Sequence, residues 1–447
     1  MRLVVVGREA VAAAIGSALS RVHVSVGSTA DLRPASLKSH AKRSGLIVFD
    51  EPHWIGLSRR ERSALLRRLC RLGPPCVVLS GRPEPDGALE ALEAGASDYL
   101  SSDHHQRELV LRLMAVLQGK RRITCIGGGT GLFTLLLGLK SLPQTLLTSI
   151  VNMSDDGGSS GKLSQTFGIL PPGDIRRSLV ALSNAPDLMN QIIQHRFEKG
   201  GELHGHSFGN LFLTVLAEVR GSMAEAVRAL SDILNIQGVV LPATTTLSRL
   251  VAEFKDGTVV KGESRIDLCE GRAPDLRIRR IWHEPASRCH IDAYTSILFA
   301  DLVLIGPGDL YTSVLTNFAV DRLAEAVVRG RSKRVYICNL MTKPGETHGY
   351  TVKDHVREVV RYLGGDKLDG VIVSDTRFSA ESIAEYAKKD QSPVSAGGVS
   401  DLSRATRAKI VRADVANQTE LVRHDSAKLR NEVQRLADVL LGPRYRV

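Results

Sequence analysis

Ile123-Thr124-Cys125-Ile126-Gly127-Gly128-Gly129-Thr130-Gly131, followed by Leu132-Phe133-Thr134-Leu135-Leu136-Leu137-Gly138-Leu139, is the stretch on which the fold turns. A β-rich run enters a glycine turn and an apolar helical run leaves it. Strand, turn and helix start together set unblocked backbone N–H groups and the positive end of a helix dipole at one point, which suits a phosphate. The turn matches neither GxGxxG nor the lysine-containing P-loop, so its chemistry has to be read from the segments around it.

On the C-terminal side the same rhythm continues. The runs LTSIVN (147–152), ADLVLIG (300–306), RVYICN (334–339) and GVIVS (370–374) alternate with helical patterns and imply an α/β unit. Lys255-Asp256-Gly257 between two β-rich runs predicts a hairpin, while Ile281–Ile291 and residues 391–409 read as loops. On the N-terminal side lies a basic hinge, Gln118-Gly119-Lys120-Arg121-Arg122. Before it, LVVV (3–6), VHVSV (22–26), LIVF (46–49), CVVL (76–79) and DYL (98–100) alternate with amphipathic stretches, the last ending HHQRELVLRLMAVL. Five strands and five helices predict a doubly wound parallel sheet. The chain thus divides into residues 1–118 and a larger unit at 122–445.

The chain has 447 residues, 43% hydrophobic and 24% charged, which excludes a disordered chain or a small stapled scaffold. The start is too soon charged for a signal peptide, and no run approaches the ~18 apolar residues of a membrane span, so a cytoplasmic location is expected. Cys70, Cys76, Cys125, Cys269, Cys289 and Cys338 include no CxxC and read as reduced, buried thiols. The net charge is +11, from 59 basic and 48 acidic residues. Residues 1–122 alone hold 19 basic and 12 acidic residues, a net of +7. The densest piece is SRRERSALLRRLCRL, where Arg59, Arg60, Arg62, Arg67, Arg68 and Arg71 alternate with leucines at helical spacing. It reads as the solvated face of an amphipathic helix or as a surface for an acidic partner.

Three further strand-to-loop junctions join the first. After Asn152 come Asp155-Asp156-Gly157-Gly158-Ser159-Ser160, two adjacent carboxylates in a glycine- and hydroxyl-rich loop. Asp155 and Asp156 can accept hydrogen bonds from a ribose, sugar or base, hold Mg²⁺, or act as a general base. GPGDLYTS supplies Gly306 and Gly308 around a proline, then Tyr311, Thr312 and Ser313, with Tyr311 able to stack on a base or sugar. The fourth loop carries Thr342, Lys343, Glu346 and Thr347. Two helix starts add Asp174, expected as a cap, with Arg176 and Arg177 in reach of a pyrophosphate, and His204, His206 and Asn210. His204-x-His206 lacks a third ligand, so no metal is assigned to it. Four polar loops, each after a strand, describe a site for a large, phosphorylated, hydroxyl-rich ligand.

The front unit resembles the receiver domain of response regulators, most clearly in EALEAGASDYL and in Asp50 at the end of the third strand. Ser80 fits that pattern. The acidic pair expected after the first strand is Gly7-Arg8, with only Glu9 nearby, and the lysine expected after DYL is Ser102 followed by Asp103. The resemblance therefore implies a degenerate receiver used for docking or self-association.

GGGTGL, NMSDDGGSSGKL, PPGDIRRSL, HSFGNL, GPGDLYTS and MTKPGETHGYT closely resemble the CofD-like superfamily, most of all its YvcK branch, the gluconeogenesis factors. The resemblance implies a Rossmann-like α/β fold, binding of a UDP-sugar such as UDP-N-acetylglucosamine, and a role in carbon metabolism and in cell shape or wall synthesis. Carried onto this sequence, the ligand-binding set is Gly127 to Gly131, Asn152, Asp155 to Ser160, Asp174, Arg176, His206, Asn210, Gly306, Gly308, Tyr311 to Ser313, and Thr342. Two positions depart from the family pattern, Asp309 in place of Ser and Lys343 in place of Gln. A carboxylate beside a diphosphate costs Coulomb energy unless it points away or meets a cation.

Two functional classes follow. One is a ligand-sensing regulator; the other is a transferase like the 2-phospho-L-lactate transferases, in which Asp155 or Asp156 would hold Mg²⁺ or deprotonate an acceptor. No cofactor is required by the first. An NAD(P)-dependent oxidoreductase is disfavoured by the glycine spacing. Nucleic-acid binding is disfavoured by the absence of a recognised module and by 4% aromatics.

Overall fold

The computed structural model describes residues 2–19, 24–54, 56–102, 105–269, 271–397, 402–418 and 421–442. The first strand of the larger unit, β6 (Arg121–Gly127), is the pivot of a seven-stranded sheet that also holds β7 (Thr145–Val151), β8 (Val239–Pro242), β12 (Leu302–Ile305), β13 (Lys333–Ile337), β14 (Gly370–Ser374) and β15 (Lys409–Ala413). Their order is β15-β14-β13-β12-β6-β7-β8, every neighbour parallel. The chain runs outward from β6 through β7 to β8, then returns to the other side of β6 and runs outward again through β12 to β15. The strand order reverses between β6 and β12, and in open α/β sheets the crevice beyond the strand ends at such a reversal is where ligands bind.

Burial on both faces explains why these strands are apolar runs rather than alternating ones. Leu302 and Leu304 enter one core, Val303 and Ile305 the other. The expected hairpin forms β9 (Arg249–Phe254) and β10 (Val259–Lys261), antiparallel across Lys255-Asp256-Gly257. The expected loop from Ile281 is partly a strand, because β11 (Ile278–Glu284) pairs antiparallel with the inner edge of β9. Arg279 and Arg280 hid its alternation, since both point outward to Glu253 while Ile278 and Ile281 are buried. Of residues 391–409, 398–401 lie outside the described residues, and the rest is mostly irregular.

The front unit is a five-stranded parallel sheet of β1 (Arg2–Val6), β2 (Ser25–Thr29), β3 (Leu46–Asp50), β4 (Cys76–Ser80) and β5 (Asp98–Ser101). Its order, β2-β1-β3-β4-β5, is that of doubly wound flavodoxin-like folds. The second strand lies three residues later than VHVSV implied, and residues 20–23 lie outside the described set. The same holds for Asp103 and for 443–445 at the end of the larger unit.

The β5 side of this sheet packs on the larger unit. The helix Pro85–Ala94 lies against the helix Ile291–Leu298, and one apolar core runs through both units. Arg322 and Arg329 of the larger unit meet Asp86 (2.6 Å) and Glu93 (3.2 Å), and Arg331 donates to the Ala96 carbonyl (2.6 Å). Arg107 donates to the Ser231 carbonyl (2.6 Å) in return. Among the described residues no helix is long and apolar enough to cross a membrane. All six cysteines are free, but Cys70 and Cys269 are only half-buried.

Candidate functional site

The loops after β6 and β12 meet at the reversal point. Gly131 is a glycine because a Cβ there would stand 2.5 Å from the Pro307 carbonyl oxygen, so this residue brings the two loops together. Asn339, ending the β13 strand run, accepts from the Gly308 N–H at 3.2 Å. Between these loops and the hairpin of β16 (Ala416–Asn417) and β17 (Arg423–His424) lies an open cleft of about 310 Å³. Thr130, Gly131, Thr134, Gly308, Thr342 and Lys343 line it together with Tyr386, Gln391, Arg423 and His424.

On the other side of the glycine turn, the second loop builds a buried polar network. The Ser159 hydroxyl meets His206 Nδ1 at 3.1 Å and accepts from Asn210 Nδ2 at 3.2 Å, and Ser160 Oγ accepts from the same amide at 3.4 Å. Asn210 Oδ1 in turn accepts from Arg176 Nε at 2.9 Å. The helices Gly158–Phe167, Gly173–Leu182 and Phe208–Arg220 thus each give one part of the network. Arg176 is 7% exposed, and among the described residues its two terminal nitrogens have no protein partner. Asn152 works differently: it donates to Ser154 Oγ (2.7 Å) and to the Thr312 carbonyl (3.2 Å). Ser154 continues through Thr316 to His283 and Ser248, a polar chain that fixes the loop from beneath.

Asp174 is not the helix cap, which is Pro172, but sits in the first helical turn beside Gly128 and Gly129. It pairs with Arg177 at 3.0 Å and accepts from the Gly129 N–H. Burial, then the neighbouring Asp155, push its carboxyl up to about 6. Asp155 accepts from the Gly157 N–H (3.1 Å) and Asp156 from the Ser264 N–H (2.8 Å). The latter bond brings in the short helix Glu263–Asp267, and Glu263 is pushed far up by burial and by Asp155, Asp174, Asp267 and Asp156. Burial, Arg177 and Arg196 depress Arg176 to about 10. The crevice therefore holds a compressed cationic group next to a compressed acidic one.

The third loop departs from expectation. Tyr311 is fully buried, its hydroxyl 3.1 Å from that of Tyr350, and it is closed off from stacking on any ligand. Its N–H and that of Thr312 donate to Glu346 Oε2 at 3.0 and 3.3 Å, and the Thr312 hydroxyl donates to Oε1 at 2.9 Å. The groups expected to receive a phosphate already hold the Glu346 carboxylate. Ser313 remains beside Gly129 and Gly308, and Thr342 is tied to Ser392. His204 leaves the network, bonding instead to the Glu198 carbonyl.

The family model described as 2-phospho-L-lactate transferase CofD matches residues 123–416. The chain belongs to the CofD family. The gluconeogenesis factor of Bacillus subtilis is 40% identical to it over 314 residues, 69% of this chain and 96% of the relative. That of Halalkalibacterium halodurans is 39% identical over 318 residues, 69% and 94% of the two chains. A crystal structure of a UPF0052 family protein from Bacillus halodurans is 38% identical, with a TM-score of 0.67, covering 70% of this chain and 99% of that one. The match to CofD begins in β6 and so leaves the front sheet outside it.

Both departures from the CofD-like pattern meet in space: Lys343 Nζ lies 2.6 Å from Asp309 Oδ2 and also contacts Asp267. The carboxylate has its cation, supplied by the other changed position. Glu263 and Asp267, which the structure brings to the candidate crevice, were not legible in the sequence, because they follow the β9–β10 hairpin more than a hundred residues after Asp156 and carry no motif of their own. Arg423 and His424 were missed for the same reason; a short basic pair near the end of the chain gives no signal until the sheet brings it to the cleft.

In front of the CofD core, Asp50 is fully buried and accepts from Arg8 three times: from N (3.0 Å) and Nε (2.8 Å) at Oδ2, and from Nη2 (2.9 Å) at Oδ1. A Cβ on Gly7 would stand 2.8 Å from Asp50 Oδ2, so an acidic side chain cannot be seated there. Arg8 thus neutralises the carboxylate with a tethered charge. A small phosphodonor with Mg²⁺ is expected to leave Asp50 unlabelled in mass spectra; stoichiometric labelling would overturn this.

Proposed function

We propose that this gluconeogenesis factor homologue binds a nucleoside diphosphate sugar of the UDP-N-acetylglucosamine type in the crevice and acts as a ligand-sensing regulator in the cytoplasm, linked to carbon metabolism and to cell shape or wall synthesis. The observation that carries this is Arg176: a buried guanidinium anchored through Nε to Asn210, which also holds Ser159 and Ser160, with its terminal nitrogens free of hydrogen-bond partners among the described residues. A planar fork of donors in a water-poor site is matched to phosphate oxygens. The adjoining cleft of about 310 Å³, lined with threonines, amides and Arg423, offers hydrogen bonds to a hydroxyl-rich group. As a regulator the chain responds only through the ligand's differential affinity for two conformations.

Calorimetry with UDP-N-acetylglucosamine is expected to show binding, with Arg176→Ala weakening it about tenfold or more, about 1.4 kcal/mol per decade. Absence of heat with every UDP-sugar would sink the reading. The crowding of Asp155, Asp156, Asp174 and Glu263 favours one second reading, a Mg²⁺-dependent transferase. Carboxylate oxygens suit Mg²⁺, which would polarise a diphosphate, with Asp155 and Asp156 the residues that would hold it. Nucleoside monophosphate released from a nucleotide diphosphate donor, dependent on Mg²⁺ and an acceptor, would replace the regulator by that enzyme.

A further inference from the structure

The positive charge of the front unit is not spread evenly over its surface. Right-handed crossovers put the helices Pro34–Lys42 and Arg59–Cys70 on the same face of the sheet, and Arg68 donates to the Leu32 carbonyl (3.3 Å) at the start of the first of them. The second helix is firmly started, with a Ser58–Glu61 capping box, and its buried side is Leu65, Leu66 and Leu69. Arg60, Arg67 and Arg71 lie at i, i+7 and i+11, which puts them in one line on the opposite, solvent side over about 16 Å. Lys42 and Arg43 at the end of the neighbouring helix are exposed as well.

The other arginines of this helix are spoken for. Arg59 pairs with Glu90, and Arg62 donates to the Leu57 carbonyl at 2.7 Å. Among the described residues, Arg60, Arg67, Arg71, Lys42 and Arg43 form no ion pair. On the neighbouring helix, Glu90 pairs with Arg59, while Asp86 and Glu93 meet Arg322 and Arg329 at the junction with the larger unit. The basic face is therefore left unpaired and exposed after the two units have docked.

We propose that this face binds an acidic helical segment of a partner protein, its carboxylates set along the line of Arg60, Arg67 and Arg71. Charge complementarity names the sign of the partner, and three features name its kind. Neither helix contains Phe, Tyr or Trp, so there is no platform for an unstacked base. The outward positions between the cations are small or polar, Ala35, Ser39 and Ala64, so nothing is offered to a lipid interior. A straight line one helix long matches another helix better than the broad track of a nucleic-acid backbone.

The test uses the full chain and a fluorescent Glu-rich, Ala-spaced helical peptide, with a duplex oligonucleotide and anionic vesicles beside it. The peptide should bind, more weakly as salt rises, and the triple variant R60E/R67E/R71E should lose about tenfold or more in affinity with an unchanged melting curve. Reversing three exposed cations elsewhere, K367E/R407E/K409E, should change it less than about threefold, as expected for charges remote from the contact. Equal binding by wild type and the R60E/R67E/R71E variant overturns the proposal, as does equal loss in both triple variants. So does tighter binding of the oligonucleotide or the vesicles than of the peptide.

Discussion

Replacing Arg112 by methionine is expected to destabilise the chain by about 3–5 kcal/mol, a large share of the ~5–15 kcal/mol that separates folded from unfolded proteins. Arg112 and Asp98 are 4% and 1% exposed, joined through Nη2–Oδ1 at 2.5 Å and Nε–Oδ2 at 3.0 Å. Methionine leaves Asp98 buried with the Arg122 guanidinium, at 4.0 Å, and the more distant Arg331 to answer its charge. The cost is that of the stranded carboxylate, so the double variant Arg112→Met/Asp98→Leu should regain most of it. Arg112 Nη1 also donates to Thr295 Oγ1 at 3.2 Å, across the junction between the two sheets. The single variant should therefore become sensitive to protease in the hinge at Gln118–Lys120 before the rest of the chain opens. Urea midpoints for the three proteins and the position of the first cut decide the matter; a single variant within 1 kcal/mol of wild type, roughly the net worth of an exposed pair, would contradict it.

The second large effect is in the pH dependence. Asp174 is held at about 6 in the folded chain, against 3.8 for the free side chain. Its raised value means the folded state binds the proton more tightly, so its contribution favours folding at low pH and is lost as pH rises through about 6. His355 and His424, held near 4 by burial against 6.5 when free, have the opposite sign: their contribution is present above 6.5 and lost as pH falls towards 4. In the wild type these slopes oppose one another between about 4 and 6.5. Asp174→Asn removes the acidic one alone. Measured by urea unfolding, the stability of the variant relative to wild type should rise by about 2 kcal/mol between roughly pH 4.5 and pH 7.5. A pH-independent difference would mean that Asp174 titrates as it does in water.

How much of this was legible beforehand depends on the range of the interaction. Most strands of the parallel sheets were legible because they are buried apolar runs bounded by their own turn residues, whereas β2 (SVGST) and β15 (KIVRA), largely unburied edge strands, were respectively misplaced and missed. The β9–β10 hairpin was legible because Asp256-Gly257 is a local signal. Ser159, Ser160, Arg176, His206 and Asn210 could be singled out as candidates because they lie at or near helix starts, and the structure joins them by hydrogen bonds. Tyr311 was misjudged: an aromatic residue in a hydroxyl-rich turn looks available, and only Tyr350 and Glu346, brought over it by the next loop, show that it is closed off. Glu263 and Asp267 had no local signal at all. Their part in the site depends on a hydrogen bond from Ser264 to Asp156, a contact between residues 108 positions apart.

The helix Ile291–Leu298 is buried from Asp292 onward, and the front sheet covers part of it. Without the front sheet, the part of this helix that it covers would meet water. Because Ala293, Tyr294, Ile297 and Leu298 are all buried here, removing the front domain would leave an apolar patch on the core. The front sheet is thus part of the cover that keeps this helix from water, as well as a unit of its own.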